Sequence, residues 1–124
     1  MTDAELAAHL AHIAGRLLLE VRDSGLISGK VLGDAGDKTA NQFLCHALRQ
    51  QRPEDGLLSE EEKDSAERLT KSRVWIIDPV DGTNNYAAGR PPFGILVALA
   101  EAGETIAGWI LDPLTGRFCH AARG

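Results

Sequence analysis

Val74-Trp75-Ile76-Ile77 constrains the fold of this chain more than any other stretch. The run is short, continuous, β-branched and aromatic, the pattern of a buried strand. Asp78 follows it directly, and Pro79 lacks a backbone donor, so the strand is expected to stop there. Helical patterns dominate before it and strand patterns after it. Thr2-x-x-Glu5 is a capping box. Leu6, Leu10, Ile13, Leu17 and Val21 then recur at helical spacing, so residues 3–23 read as an amphipathic helix stopped by Ser24-Gly25. Residues 25–36 hold four glycines and read as a loop with a short extended piece. Residues 37–51 read as a second helix with Phe43, Leu44, Ala47 and Leu48 inward, ended by Pro53. Gly56-Leu57-Leu58 is expected to be a short strand and residues 64–69 a short helix capped by Asp64-Ser65. Phe93–Ala100, Thr105–Leu111 and Arg117–Ala121 complete the strands, the first two joined as a hairpin through Ala102-Gly103-Glu104. This order predicts an α+β fold in one domain over residues 1–124, with helices layered on a mostly antiparallel sheet.

The formal net charge of -5 argues against a nucleic-acid polymer or an anionic membrane as partner, since both call for basic patches. It leaves room for a small phosphorylated metabolite, because a bound cation reverses the local sign. No apolar run is long enough to span a membrane, and Met1-Thr2-Asp3-Ala4-Glu5 is not the start of a signal peptide. Cys45 and Cys119 lie far apart in regular segments and read as thiols in a reducing compartment. The expected location is therefore cytoplasmic.

The chemistry concentrates after the buried strand. Asp78 and Asp81 are three residues apart across a turn started by Pro79, a spacing expected to bring both carboxylates to one point. Magnesium takes oxygen ligands in near-octahedral geometry and keeps several waters. Two carboxylates, a backbone carbonyl and a third carboxylate from Glu60, at the end of another predicted strand, suit that need. Gly82-Thr83 opens a short helical turn where exposed amides and a residue without Cβ favour phosphate, and the Thr83 hydroxyl is placed to orient a water. These are the parts of metal-assisted phosphate hydrolysis. Each alone also has a plain reading: Asp-Gly is a common turn, and Glu60-Glu61-Glu62 a solvated charge run.

Taken together, Ser59-Glu60-Glu61 followed by Trp75-Ile76-Ile77-Asp78-Pro79-Val80-Asp81-Gly82-Thr83 resembles the inositol monophosphatase-like superfamily of metal-dependent, typically lithium-sensitive phosphatases. Its members include inositol monophosphatases and 3'(2'),5'-bisphosphate nucleotidases. The resemblance implies that Glu60, Asp78 and the carbonyl of Val80 bind a first magnesium ion, and that Asp78 bridges to a second held by Asp81. Glu60, Val80, Asp81, Gly82 and Thr83 would line the substrate phosphate, Thr83 would help activate the attacking water, and Glu61 would support it. Residues 2–83 look like bacterial bisphosphate nucleotidases, which hydrolyse 3'-phosphoadenosine 5'-phosphate to AMP and phosphate. Residues 84–124 look more like inositol-1-monophosphatase relatives.

Two departures from the family pattern stand out. In many members an aspartate opening the second helix partners the threonine; here Asn41 stands in the Thr-x-x-Asp-like stretch. Asp37, one turn earlier, is the candidate catalytic substitute, but it reads first as a helix N-cap. Family members also continue well beyond this length, to a Trp-Asp motif that completes the second metal site. The chain thus resembles the N-terminal half of the sugar-phosphatase fold, with either a non-catalytic half-domain or pairing with a second half expected. An uncovered apolar face and self-association would follow. His9, His12, His46 and His120 lack metal-ligand spacing, Trp75 and Trp109 read as core, and Arg90 as surface.

Overall fold

The structure, a computed structural model, describes residues 1–59, 61 and 70–122. Two long helices come first, α1 (Asp3–Asp23) and α2 (Gly29–Gln51), followed by strands β1 (Gly56–Ser59) and β2 (Arg73–Asp81). A single-turn helix α3 (Thr83–Ala87) precedes the meander β3 (Gly94–Glu101), β4 (Glu104–Leu111) and β5 (Phe118–Ala122). The five strands lie in sequence order, with β1 parallel to β2 and the other pairs antiparallel. The sheet is therefore mixed but mostly antiparallel, as the strand pattern predicts.

Both long helices pack on one face of the sheet, α1 across β3 and β4 and α2 across β1 and β2. Alternation along each strand sends Trp75, Ile77, Val97, Leu99, Trp109 and Leu111 into this layer, where all are buried. The two indoles stack at 6.1 Å and 22°, which places Trp75 and Trp109 in the core as expected. At the end of the sheet remote from α3, Asp3 accepts from Arg73 (2.8 Å) and Arg52 (3.1 Å), and Asp55 accepts from the Trp75 indole (2.9 Å). These bonds tie the start of α1 to the end of α2 and the start of β2. The opposite positions, among them Ile76, Leu96, Ala98 and Ile110, have no helix over them among the described residues, and Ile110 is 50% exposed.

The capping box at Thr2 and Glu5 is formed on both sides. Of the expected stripe of α1, Leu6 and Leu10 are buried as predicted, but Ile13, Leu17 and Val21 are half-buried at its edge, and Ala7, Ala11, Ala14 and Leu18 are buried in their place. Small residues there let the helix approach the sheet closely, and Gly15 sits against Leu111 and Pro113. The larger correction concerns residues 25–36. Only the stretch before Gly29 is loop; Gly33 and Gly36 lie inside α2, on its buried face. A Cβ on Gly36 would stand 2.5 Å from the Tyr86 ring, so this glycine serves close packing rather than a turn. Pro79 does not end β2 either. The strand runs on to Asp81, with its pairing to β3 shifted between Asp78 and Asp81, where the proline has no N–H to contribute. The hairpin from β3 to β4 turns on Ala102 (φ 51°) and Gly103 (φ 80°), the two-residue turn that matches strand twist. The short helix expected at 64–69 lies outside the described residues.

Candidate active site

The site gathers at the exit of β2, where α2 and α3 meet. Gly82 caps α3 at φ 88°, and a Cβ there would meet the Pro92 carbonyl at 2.8 Å. Glycine is thus required both by conformation and by space. The turn directs Thr83 back toward α2. Its hydroxyl lies 3.0 Å from the Val80 carbonyl and 3.3 Å from Asp37 Oδ1, so one proton is shared between two acceptors. Tyr86, one turn along α3, anchors the arrangement from below: its ring is fully buried, and its hydroxyl donates to the Leu18 carbonyl at 2.6 Å. Burial pushes the Tyr86 hydroxyl up to about 12, so it stays a donor.

Asp37 therefore does not cap α2. It lies well inside the helix, and because Gly33 and Gly36 flank it on that face, α2 comes near enough to α3 for its carboxylate to reach Thr83. Burial pushes the Asp37 carboxyl up to about 6, with the charges of Glu61, Asp78 and Asp34 adding to the rise and the Thr83 hydrogen bond opposing it. A carboxyl with that value is partly protonated near neutrality and exchanges protons readily there. Asn41 is not the partner of Thr83. It sits one turn further on, buried, with its Oδ1 accepting from Ser59 Oγ at 2.5 Å and from Cys45 Sγ at 3.3 Å. The linear Thr-x-x-Asp comparison pointed to the wrong turn of a helix whose start it did not recognise.

Two of the carboxylates expected to hold metal, Asp78 and Asp81, stand at the end of β2. Asp78, half-buried, lines a cavity of about 260 Å³ with Leu58, Ser59, Ile76, Ile77 and Leu96. Asp81 is exposed and lines a different one of about 300 Å³ with Gly82, Asn85 and Phe93. The pairing of β2 with β3 shifts between these two aspartates. Among the described residues no three acidic, histidine or cysteine side chains form a metal-binding group. Glu60, the third carboxylate expected, lies outside the described residues; its neighbour Glu61 is exposed, with its backbone N–H donating to Ser59 Oγ at 3.3 Å. The donor set itself is made of hard oxygens, two aspartates, a backbone carbonyl and the acidic pair, which suits magnesium rather than a softer ion.

Sequence reasoning missed Ser59 as a polar anchor and Tyr86 as the post behind α3. The only signal for the first was an amide at helical spacing from Asp37; the second reads as an ordinary core aromatic. A third cavity, of about 520 Å³, opens between α2 and α3 beside Thr83, lined by Gly33, Asp34, Asn84 and Ala87 among others. The four histidines form no cluster: His12 bonds the Ala8 carbonyl at 2.7 Å, and His120 stacks on Trp109. Cys45 is buried and Cys119 exposed, and no disulfide joins them. No helix among the described residues is long and apolar enough to cross a membrane.

Comparison with known proteins places this site in a family. The 3'-phosphoadenosine 5'-phosphate phosphatase of Mycobacterium leprae (strain TN) is 52% identical over 101 residues, which make up 80% of this chain and 37% of that protein. The inositol-1-monophosphatase of Rhizobium meliloti (strain 1021) is 37% identical over 88 residues, 71% of this chain and 33% of that protein. Among solved structures, inositol monophosphatase II from Staphylococcus aureus MSSA476 superposes with a TM-score of 0.87 at 26% identity, covering 98% of this chain and 46% of that one. The suhB protein of Bartonella henselae gives 0.84 at 30% identity, over 98% and 49%. The chain thus spans about half the length of the solved relatives and about a third of the curated ones. The family description "Inositol monophosphatase family" matches residues 4–124, and the chain belongs to that family.

Proposed function

We propose that this chain carries the phosphate- and metal-binding part of a magnesium-dependent phosphomonoesterase that converts 3'-phosphoadenosine 5'-phosphate to AMP and phosphate. The observation that carries the reading is the Thr83 hydroxyl held between Asp37 and the Val80 carbonyl at the exit of the strand bearing Asp78. Magnesium, held by Asp78, the Val80 carbonyl, Asp81 and Glu60, would neutralise phosphate charge and acidify water. The chain's own residues do the rest. Gly82 leaves the backbone open to a phosphate oxygen, Thr83 orients the attacking water, and Asp37 accepts a proton through Thr83 at a carboxyl poised near 6. Glu61 supports that proton by keeping Asp37 basic. The identity with the mycobacterial relative supports the nucleotide substrate. The weaker identity with the Rhizobium protein is the ground for inositol-1-monophosphatase as the alternative.

The catalytic unit in this reading is larger than the chain. Among the described residues, Ile76, Leu96, Ala98 and Ile110 form an apolar face that no helix covers, and its edge is the cavity holding Asp78. A second half, corresponding to the portion of the solved relatives this chain does not span, is the proposed occupant, and the free chain would self-associate through the same face. Without that half the chain is a non-catalytic half-domain with partial metal affinity. The absence of a disulfide and the net negative charge fit a cytoplasmic protein that binds neither nucleic-acid polymer nor membrane.

The test is phosphate release from 3'-phosphoadenosine 5'-phosphate and from inositol 1-phosphate, by the chain alone and mixed with the unspanned portion of the Mycobacterium leprae relative. Magnesium-dependent, lithium-sensitive release from the nucleotide in the mixture is expected. Release from inositol 1-phosphate alone would favour the second substrate, and none from either would refute the phosphatase reading.

A further inference from the structure

Asp37, Asn41 and Cys45 stand four residues apart on α2 and so stack on one face of the helix. That face holds two separate pieces of the site. Asp37 reaches Thr83, at the exit of β2, while Asn41, one turn on, reaches Ser59, the last residue of β1. Asn41 is 6% exposed and Ser59 5%, so no solvent replaces their bond. The Ser59 hydroxyl accepts from the Glu61 N–H, which leaves its own proton to donate, and Asn41 Oδ1 takes it. The Cys45 thiol donates to the same oxygen and holds the amide in that orientation.

The choice of an amide has a physical reason. An acceptor is needed here, but an aspartate would add a charge to ground shared by Asp37, Glu61 and Asp78, whose mutual repulsion already raises Asp37. Asparagine supplies the oxygen without the charge. The result is a neutral relay from the helix of Asp37, through Ser59, to the backbone N–H of Glu61.

We propose that Asn41, acting through Ser59, is a positioning residue that fixes where Glu61 stands relative to Asp37, and thereby sets the affinity of the site for its divalent cation. The inference rests on the metal-site reading above. It assigns Asn41 and Ser59 a task that neither the aspartate comparison nor the acidic motif gives them.

The experiment measures Mn2+ binding to the full chain by electron paramagnetic resonance, alongside melting of the metal-free protein. Ser59→Ala and Asn41→Ala are each expected to weaken Mn2+ binding about tenfold, the usual effect of removing an outer support of a metal ligand. The double variant is expected to lose no more than either single one, because both interrupt one relay. Leu48→Ala, a core truncation remote from the acidic pair, should lower the melting point without moving Mn2+ affinity. If Ser59→Ala melts lower but binds Mn2+ as the unmodified chain does, the two residues are structural only and the proposal is overturned. If Asn41→Ala does not fold, Ser59→Ala decides, since it removes one hydroxyl and no core volume. If the unmodified chain leaves Mn2+ free, the metal reading falls, and the relay is then judged by hydrogen exchange at the Glu61 amide. Exchange about tenfold faster in Ser59→Ala supports the relay; unchanged exchange refutes it.

Discussion

Replacing Gly36 by alanine separates two explanations for a glycine-rich stretch. If Gly36 were there to break a helix, alanine would stabilise the chain, because in a helix interior it is favoured over glycine by about 1 kcal/mol. The structure puts Gly36 on the buried face of α2, where a new Cβ would lie 2.5 Å from Tyr86 Cε2 and 3.0 Å from its Cζ. The ring has little room to retreat: it is fully buried, packs edge-on against Phe93 at 5.1 Å, and is pinned by its bond to Leu18. Overpacking of this kind costs about 1–3 kcal/mol, and an approach this short belongs at the upper end. After the helix preference is subtracted, a net loss of about 1–2 kcal/mol remains, at roughly 4 °C in Tm per kcal/mol for a domain of this size. Thermal unfolding followed by circular dichroism in metal-free buffer measures it. Gly33→Ala is the control, since its Cβ would meet Thr83 Cγ2 at 3.3 Å and Ala87 Cβ at 3.4 Å, contacts that small shifts absorb. It should be near neutral or slightly stabilising. Gly36→Ala as stable as the unmodified chain would refute the packing argument and, with it, the reason α2 sits close enough for Asp37 to reach Thr83.

Further expectations follow from charge and conformation. Because burial raises the Asp37 carboxyl to about 6, the folded state holds its proton more tightly than the unfolded state, and this contribution to stability is present at low pH and lost as pH rises through about 6. Asp37→Asn in metal-free buffer should therefore match the unmodified chain near pH 4 and exceed it by about 1 kcal/mol at about pH 8, after discount for solvent screening; equal stability at both would refute the shift. Asp3 has the opposite sign: burial raises its carboxyl, but the bonds from Arg73 and Arg52 outweigh this and lower it, so its contribution is present at neutral pH and lost on acidification. Asp3→Asn should cost about 1 kcal/mol at about pH 7, and the deficit should close in urea melts as pH falls below about 4. Ala102 occupies a left-handed conformation at φ 51°, so Ala102→Asn, giving the favoured Asn-Gly turn, should raise stability by about 0.5 kcal/mol; a lower Tm would count against the turn geometry.

Much of the fold was legible because its signals are local. The capping box fixes the start of α1, the Val74–Ile77 run fixes β2, and Ala102-Gly103 fixes a hairpin. What failed depends on partners far away in sequence. Gly33 and Gly36 look like breakers until Thr83 and Tyr86 are seen packed against them. The stripe of α1 takes in Ala7, Ala11 and Ala14 beside Leu6, Leu10 and Leu18 because a sheet lies close beneath it. The site divides the same way. The Asp78–Thr83 string is contiguous and was visible at once, whereas the Asp37–Thr83 bond joins residues 46 apart and became visible only once α2 was known to begin at Gly29. That β2 runs on past Pro79, with its pairing shifted between Asp78 and Asp81, depends likewise on its contact with β3.

The metal assignment of Asp78 is tested most directly by diffraction from crystals of the chain soaked with Mn2+, recorded at the manganese edge. An anomalous peak is expected at the Asp78 carboxylate beside the Val80 carbonyl, present in the unmodified chain and missing from Asp78→Asn. A peak elsewhere, or one that survives Asp78→Asn, would mean that this strand end does not hold the cation.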